Sequence, residues 1–415
     1  MTSPAELLGQ SSLSGVRVLE VGTSVAAPFG AQILGDLGAD VVKIERLDVG
    51  DDTRKWTPPA WDGVSIPFLH VNRNKRSVVV DYKTDAGRAV MEELIAGADV
   101  LIQNLRPGAF ARAGFSAERL RELNPRLVYV EMTGFGRTGP RAAQPAYDPL
   151  LQAYSGIVSM TGEDGGTPAR VPVSVLDMGT GLWLVIAVYE ALRRRDVTGV
   201  GTHVETSLLQ TALMWMSGAL MGVAAGHAAP RRLGSGFPGV VPYGAYPTSD
   251  GHVFLSAGNQ ATWLRLLEAI DSQDLDSREG FGSNPDRAAN RETVNAALGE
   301  RTSRFSTAEL VARLEAAHVP HSPVQTVDQV LADEQVAALG QIQPLPHAQI
   351  PDLRVVNMPV TFDGDYPQMR LAPPELGEHT TEVLAELGHD AASIASLLDA
   401  GVIQTPTALE EEQTA

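Results

Sequence analysis

The sequence predicts an α/β protein: a large doubly wound, Rossmann-like domain with a second, smaller α/β domain. Three observations predict it. The opening third alternates short apolar runs with helix-like segments, as parallel strands joined by crossover helices do. Residues 228–242 break that pattern with Gly, Pro and Arg231-Arg232, which marks a boundary. At 415 residues, 44% of them apolar, the chain is long enough to bury two cores. The expected division is 1–227 for the first part of the large domain and 228–325 for the small one. Residues 326–415 hold a helical linker, a Pro-rich stretch and a C-terminal helix.

The elements justify this reading in order. Val16–Val21 is a buried strand, Pro28–Leu37 a helix that stops at Gly38, and Asp40–Glu45 the next strand. Ser77–Tyr82, Asp99–Gln103 and Leu127–Met132 read as further strands. Between them Thr84 caps a helix over Asp85–Ala96 and Ser116 caps one over 117–123. Two long helices follow at 178–194 and 207–224; in the second, Met214, Met216 and Met221 read as core filler. Tyr243–Pro247 and His252–Ser256 flank Thr248-Ser249-Asp250-Gly251, a hairpin signal. Helical patterns occupy 260–270, 288–300 and 307–317, and a C-terminal helix runs over 377–387. The tail around Glu410-Glu411-Glu412 is expected to be disordered.

Composition removes several function classes. A net charge of −18 argues against a nucleic-acid partner. The charge is uneven: residues 1–150 hold 17 Lys/Arg against 18 Asp/Glu, so an anionic ligand is best sought there. With no cysteine, thiol nucleophiles, disulfides and thiolate metal sites are excluded. The histidines show no ligand spacing, so no metal is expected. No run reaches the roughly 18 uncharged apolar residues of a membrane helix, and the stretch 207–226, diluted by Ser, Thr, Gln and Gly, comes closest and reads as a core helix. The first fifteen residues lack the basic start and apolar stretch of a signal peptide, and a cytoplasmic setting is expected.

The first strand runs into Gly22-Thr23-Ser24-Val25-Ala26-Ala27-Pro28, where a nicotinamide site would need Gly-x-Gly-x-x-Gly. Only the first glycine is present. Asp177 is the most informative residue. It stands between an extended apolar stretch and Leu182–Leu192, which is almost wholly apolar. A carboxylate at such a junction is either a helix cap or a reactive group at a positive helix end, and the local sequence leaves both open.

Several segments elsewhere in the chain bear on the reactive reading, which does not exclude the cap. Val41-Val42-Lys43-Ile44-Glu45-Arg46 with Gly50–Arg54, Asn72–Ser77, Asp99–Gly108, Asn124–Tyr129, Thr133–Pro140, Tyr147-Asp148 and Leu376–Thr380 stand in order along the chain. This ordered set resembles family III CoA-transferases. The resemblance implies an interlocked homodimer and a reaction that moves CoA from an acyl-CoA to a free carboxylic acid. It places Asp177 on the family's catalytic aspartate, a nucleophile that carries CoA as an aspartyl thioester between mixed anhydrides. No tightly bound cofactor is implied; coenzyme A is substrate and carrier. Arg46, Val80, Lys83, Asn104, Leu105 and Arg112 fall on CoA-contacting positions, and Tyr147 beside the thiol. Where the family often carries glutamine, this chain has Val25-Ala26, so that contact is expected through the main chain.

Three further expectations concern charge and position. Arg73, Lys75 and Arg76 are additional phosphate candidates. The resemblance makes the glycine-rich loop 233–239 a candidate acid cover, with a plain interdomain linker as the alternative, and Arg231, Arg232, Tyr243 and Gln260 are acid-recognising candidates. The helix start is expected to keep Asp177 ionised, to be capped by it, and to offer N–H groups to developing oxyanion charge. The alternatives are a 2-methylacyl-CoA racemase, which would have His-Asp where this chain has Tyr147-Asp148, and a non-catalytic CoA-binding protein. Tyrosine, with a pKa near 10, is a poor base at neutral pH.

Overall fold

A computed structural model of the chain describes residues 11–406; Met1–Gln10 and the acidic tail at Glu410–Glu412 lie outside the described residues. The main sheet is built from β1 (Arg17–Val21), β2 (Asp40–Glu45), β3 (Lys75–Val80), β4 (Val100–Gln103), β5 (Val128–Thr133), β6 (His203–Ser207) and β7 (Ile403–Gln404). Their order is β7-β3-β2-β1-β4-β5-β6. β1 to β6 are parallel, and β7 closes one edge antiparallel to β3. The order reverses direction between β1 and β4, and such a switch point opens a crevice at the carboxyl ends of the strands.

The two faces of this sheet differ in chemistry. On one, Leu19, Val21, Val42, Ile44, Val78 and Val80 pack against the helices over Asp85–Ala96, Ala117–Leu123 and Thr380–Glu386. The alternate residues of the same strands put Glu20, Lys43 and Lys75 on the other face, beneath helix α1 (Ala26–Asp36). Lys43 Nζ lies 2.7 Å from Glu20 and 2.8 Å from Asp51, and donates to the Gly22 carbonyl at 3.0 Å. Lys75 Nζ lies 2.7 Å from Glu20 and donates to the Pro28 carbonyl and to Asn72. The side chains of Glu20, Lys43, Asp51 and Lys75 are all shut off from solvent. Burial alone would discharge Lys43, but Asp51, Glu20 and Glu45 hold its ammonium above the ordinary lysine value. Lys75 falls to about 8, because burial outweighs the Glu20 carboxylate.

Two more helices bracket the crevice: α2 (Asp148–Ser155) and the long α3 (Val175–Thr198), with α4 (Leu208–Trp215) packed on both. By composition α3 is apolar enough to cross a bilayer, with a mean hydropathy of 1.5, yet half of it is buried inside the protein. It crosses α1 through glycines. A Cβ on Gly181 would lie 2.9 Å from the Ala26 carbonyl oxygen and 3.1 Å from the Gly30 nitrogen, so no larger residue fits. Gly179 faces the Trp215 ring more closely still. Helix packing thus accounts for both glycines, without appeal to an approaching ligand.

The chain forms two compact units. The first holds the main sheet and takes in Pro172–Gly218 and the chain from Gly340 onward. The second spans Gly156–Val171 and Ala219–Leu339, wider than the expected 228–325. It has a three-stranded antiparallel sheet, with His252–Ser256 between Tyr243–Pro247 and His321–Pro323. Its own core includes Trp263, Leu266, Leu298 and Leu310.

Several elements differ from the sequence reading. β3 begins at Lys75 rather than Ser77, because its two basic residues are buried by partners. The helix expected over 207–224 breaks at Met216 into Leu208–Trp215 and Ser217–Ala224. The C-terminal helix covers Thr380–Glu386, and another follows over Ala391–Asp399. β6 is an addition to the predicted elements: His203-Val204-Glu205-Thr206-Ser207 is a polar edge strand that periodicity does not flag.

The buried charge row makes a direct prediction. Lys43→Met removes the buried cation of Asp51 and leaves Glu20 with Lys75 alone, and should cost about 3–5 kcal/mol in urea unfolding. A loss below about 1 kcal/mol would show that solvent or rearrangement compensates the charges.

Candidate active site

Asp177 lies in the first turn of α3, preceded by Ser174, whose side chain caps nothing. The cap comes instead from Asp148, the first residue of α2. One of its carboxylate oxygens accepts from the Leu176 N–H at 2.6 Å and the Asp177 N–H at 3.1 Å; the other accepts from Gln152. Asp148 is buried. The expectation that Asp177 caps its own helix is therefore corrected, since Asp148 already occupies the donors. Those two N–H groups are also withdrawn from any role toward an oxyanion.

Among the described residues nothing donates a hydrogen bond to the Asp177 carboxylate. Burial first, and the Asp148 charge second, raise its pKa from 3.8 to about 7. The expectation of a carboxylate kept fully ionised by the helix end fails for the same reason. Desolvation and a like charge disfavour the anion, and the helix donors that would favour it are spent on Asp148. The α1–α3 crossing sets Gly181 against Ala26, and Asp177 stands one turn nearer the helix start. Side chains on a helix lean toward its N-terminus. Asp177 thus belongs beside the turn that joins β1 to α1.

In that turn Ser24 takes a left-handed conformation, φ +69°. Asn104, just after β4, spans the switch point. Its Oδ1 accepts from the Thr23 N–H at 2.9 Å and its Nδ2 donates to the Thr23 carbonyl at 2.8 Å. The Ser24 N–H donates to Asp51 at 3.1 Å. Val25 and Ala26 are buried. No acceptor among the described residues takes their N–H groups.

Five sequence candidates follow the carboxyl ends of three strands of the main sheet: Arg46 after β2, Lys83 after the adjacent β3, and Asn104, Leu105 and Arg112 after β4, which β1 separates from β2. Arg46 is half exposed (49%), bonded to the Gly50 carbonyl and paired with Asp52. Lys83 and Arg112 are exposed, and Leu105 packs partly on the core. Val80 is a buried core residue of β3. Tyr147 is exposed (56%) immediately before Asp148.

Other candidates are committed elsewhere. Arg73 grips Asp36 through two bonds of 3.0 and 2.7 Å, and Lys75 is held in the charge row. Arg76 pairs with Asp40, Glu382 and Glu386. These three bases tie the sheet together and are corrected from ligand candidates to structural charges. In the second unit Arg232 donates to the Glu163 and Gly166 carbonyls, and Arg231 stands 3.6 Å from Asp164. Gln260 bridges Arg287 and Asp276, while Tyr243 packs edge-on against Phe254. In the 233–239 loop, the Ser235 hydroxyl accepts from the Ala245 N–H. Glu131, His203 and Glu205 bring ligand atoms within 4.8 Å of one another. Arg137 pairs with both carboxylates, so the cluster already holds its cation.

A family model described as CoA-transferase family III matches residues 13–380. The chain belongs to this family. A succinate–glutarate CoA-transferase from Agrobacterium fabrum is 36% identical over 381 residues, 90% of this chain and 95% of the relative. The human succinyl-CoA:glutarate CoA-transferase is 33% identical over 392 residues, 94% of this chain and 90% of the relative. The crystal structure of a CAIB/BAIF family protein from Brucella suis superposes with a TM-score of 0.84 at 35% identity, covering 91% of this chain and all of that one. This family III member is a CoA-transferase, with CoA as its carried group.

The raised Asp177 pKa has a stability consequence. Its folded value of about 7 lies above the ordinary 3.8, so its contribution is fully present below pH 3.8 and is lost as pH rises through about 7. Asp177→Asn should therefore melt higher than the wild type at pH 8, with the gap closing toward pH 4. A gap that stays constant across this window would contradict the assignment.

Proposed function

We propose that this enzyme exchanges CoA between small dicarboxylic acids, with Asp177 as the nucleophile. The observation that carries the reading is the division of labour between two carboxylates. Asp148 satisfies the helix start, and among the described residues Asp177 is left without a hydrogen-bond donor, beside the β1–α1 turn. The dicarboxylate class is supported by the succinate and glutarate named for the two relatives.

In the first half-reaction the Asp177 carboxylate attacks the donor thioester carbonyl. The carbon–sulfur bond breaks, giving an aspartyl–acyl anhydride and CoA thiolate. The thiolate then attacks the aspartyl carbonyl, forming the Asp177–CoA thioester and releasing the donor acid with the bridging oxygen. The acceptor carboxylate next attacks that thioester, giving a second anhydride and thiolate. Attack of the thiolate on the acceptor's acyl carbon makes the product and returns Asp177 as carboxylate. Each step develops an oxyanion, for which preorganised N–H donors are the usual source of stabilisation. The free N–H groups of Val25 and Ala26 fit that role. Arg46, Lys83 and Arg112 suit the phosphates of CoA, and a guanidinium can meet phosphate through two bonds.

The racemase alternative needs a second acid–base group, and Tyr147 in the place of histidine weakens it. We further propose a homodimer, as family resemblance implies. Leu182, Trp183 and Ile186 on α3 and Leu213, Met214 and Trp215 on α4 leave large apolar side chains exposed, and extended patches of this kind mark interfaces. Light scattering should give twice the chain mass, whereas a monomer at micromolar concentration would overturn this part.

The decisive assay incubates the enzyme with succinyl-CoA, glutaryl-CoA and a panel of free acids, followed by intact-mass analysis. The wild type should exchange CoA and show a covalent CoA adduct. Asp177→Ala should lose both, with a rate drop of at least about 1,000-fold. Transfer should also fall as pH drops through about 7, because protonation removes the nucleophile. Full activity in Asp177→Ala would refute the assignment.

A further inference from the structure

Arg46 and the β1–α1 turn are joined by one short, tightly held segment. Arg46 Nε and Nη2 both donate to the Gly50 carbonyl, at 3.0 and 2.8 Å. Gly50 has φ +60°, and a Cβ there would meet Glu45, Leu376 and Arg54 at 2.7 to 2.9 Å, so the chain has little room to shift. The next residue is Asp51. Its Oδ1 accepts from the Thr53 N–H at 2.8 Å, the Thr53 hydroxyl at 2.7 Å and the Ser24 N–H at 3.1 Å. Its Oδ2 pairs with Lys43 at 2.8 Å. Its own N–H donates to Glu45, which Arg54 grips with two bonds. The segment therefore has an exposed basic end at Arg46 and a buried acidic end that holds the left-handed Ser24.

We infer that Asp51 is a positioning residue: it carries the engagement of CoA phosphate at Arg46 to the turn whose Val25 and Ala26 N–H groups face the reacting carbonyls. This rests on the proposed function above. A phosphate at Arg46 displaces only the exposed Asp52 carboxylate and leaves the two bonds to Gly50 in place. The load then passes through Gly50 and Asp51 to Ser24. Binding energy from a remote part of the substrate is in this way spent on alignment at the reacting centre, so it appears in kcat rather than in KM.

The test compares two donors for the wild type, Asp51→Asn and Thr53→Val. One donor is the acyl-CoA; the other is the same acyl group on pantetheine, which lacks the nucleotide phosphates. The wild type should favour the CoA thioester in kcat. Asp51→Asn should lower kcat for the CoA thioester by about 100-fold, as misplaced reacting groups do. It should leave KM for acyl-CoA within about twofold and lower kcat for the pantetheine thioester by no more than about tenfold, since Asp51 also holds the turn when no phosphate is bound. Thr53→Val removes one bond to Asp51 at constant buried volume; it should act in the same direction by about 3- to 10-fold, and it stands alone if Asp51→Asn does not fold. Equal losses on both donors, or no loss on either, overturn the inference. An inactive wild type would instead overturn the CoA-transfer assignment itself.

Discussion

The bond from Asp148 to the first turn of α3 is the constraint on which the site depends. A helix start offers unpaired N–H groups, and the nearest carboxylate normally takes them. Here the carboxylate that takes them comes from another helix, 29 residues earlier than Asp177. The consequence is chemical as well as structural. Asp177 stays partly buried, close to a like charge and, among the described residues, without donors, and its proton is held to about pH 7. A carboxylate bonded to its own helix would be a weaker nucleophile, because its lone pairs would be engaged.

What surrounds that pair is a sheet held together by charge on one face and hydrocarbon on the other. The apolar face is the ordinary driving force of folding. The face beneath α1 carries Glu20, Lys43, Lys75 and Asp51, in a geometry that leaves each ion compensated. Such an arrangement tolerates no loss of a single partner. It also ends at the Gly22 carbonyl and at Ser24, the turn beside the proposed nucleophile. Apolar residues there would serve stability equally well; the buried ions add rigid polar support under that turn.

Legibility in the sequence follows the same physics. Strands β1, β2, β4 and β5 are readable within about two residues because both of their faces are buried. β3 reads two residues late, since Lys75 and Arg76 look like surface bases until Glu20 and Asp40 are brought beside them. β6 escapes a periodicity reading because its exposed edge permits His203, Glu205 and Thr206. Asp177 stands out by its place between an extended run and an apolar helix. Its role as a cap does not hold, because no local spacing rule connects Asp148 to a helix start so far along the chain. Asn104 is placed on a CoA-contacting position by family resemblance alone, and its amide makes two bonds to the Thr23 main chain.

The most direct test of the account follows oxygen rather than rate. In the proposed sequence of steps, the acceptor's carboxylate oxygen becomes the bridge of the second anhydride and stays on Asp177 when the product leaves. An acceptor acid with heavy oxygen in its carboxylate should therefore label Asp177 during turnover, as peptide mass mapping would show. Label that never reaches Asp177 while exchange proceeds would contradict covalent catalysis by this residue.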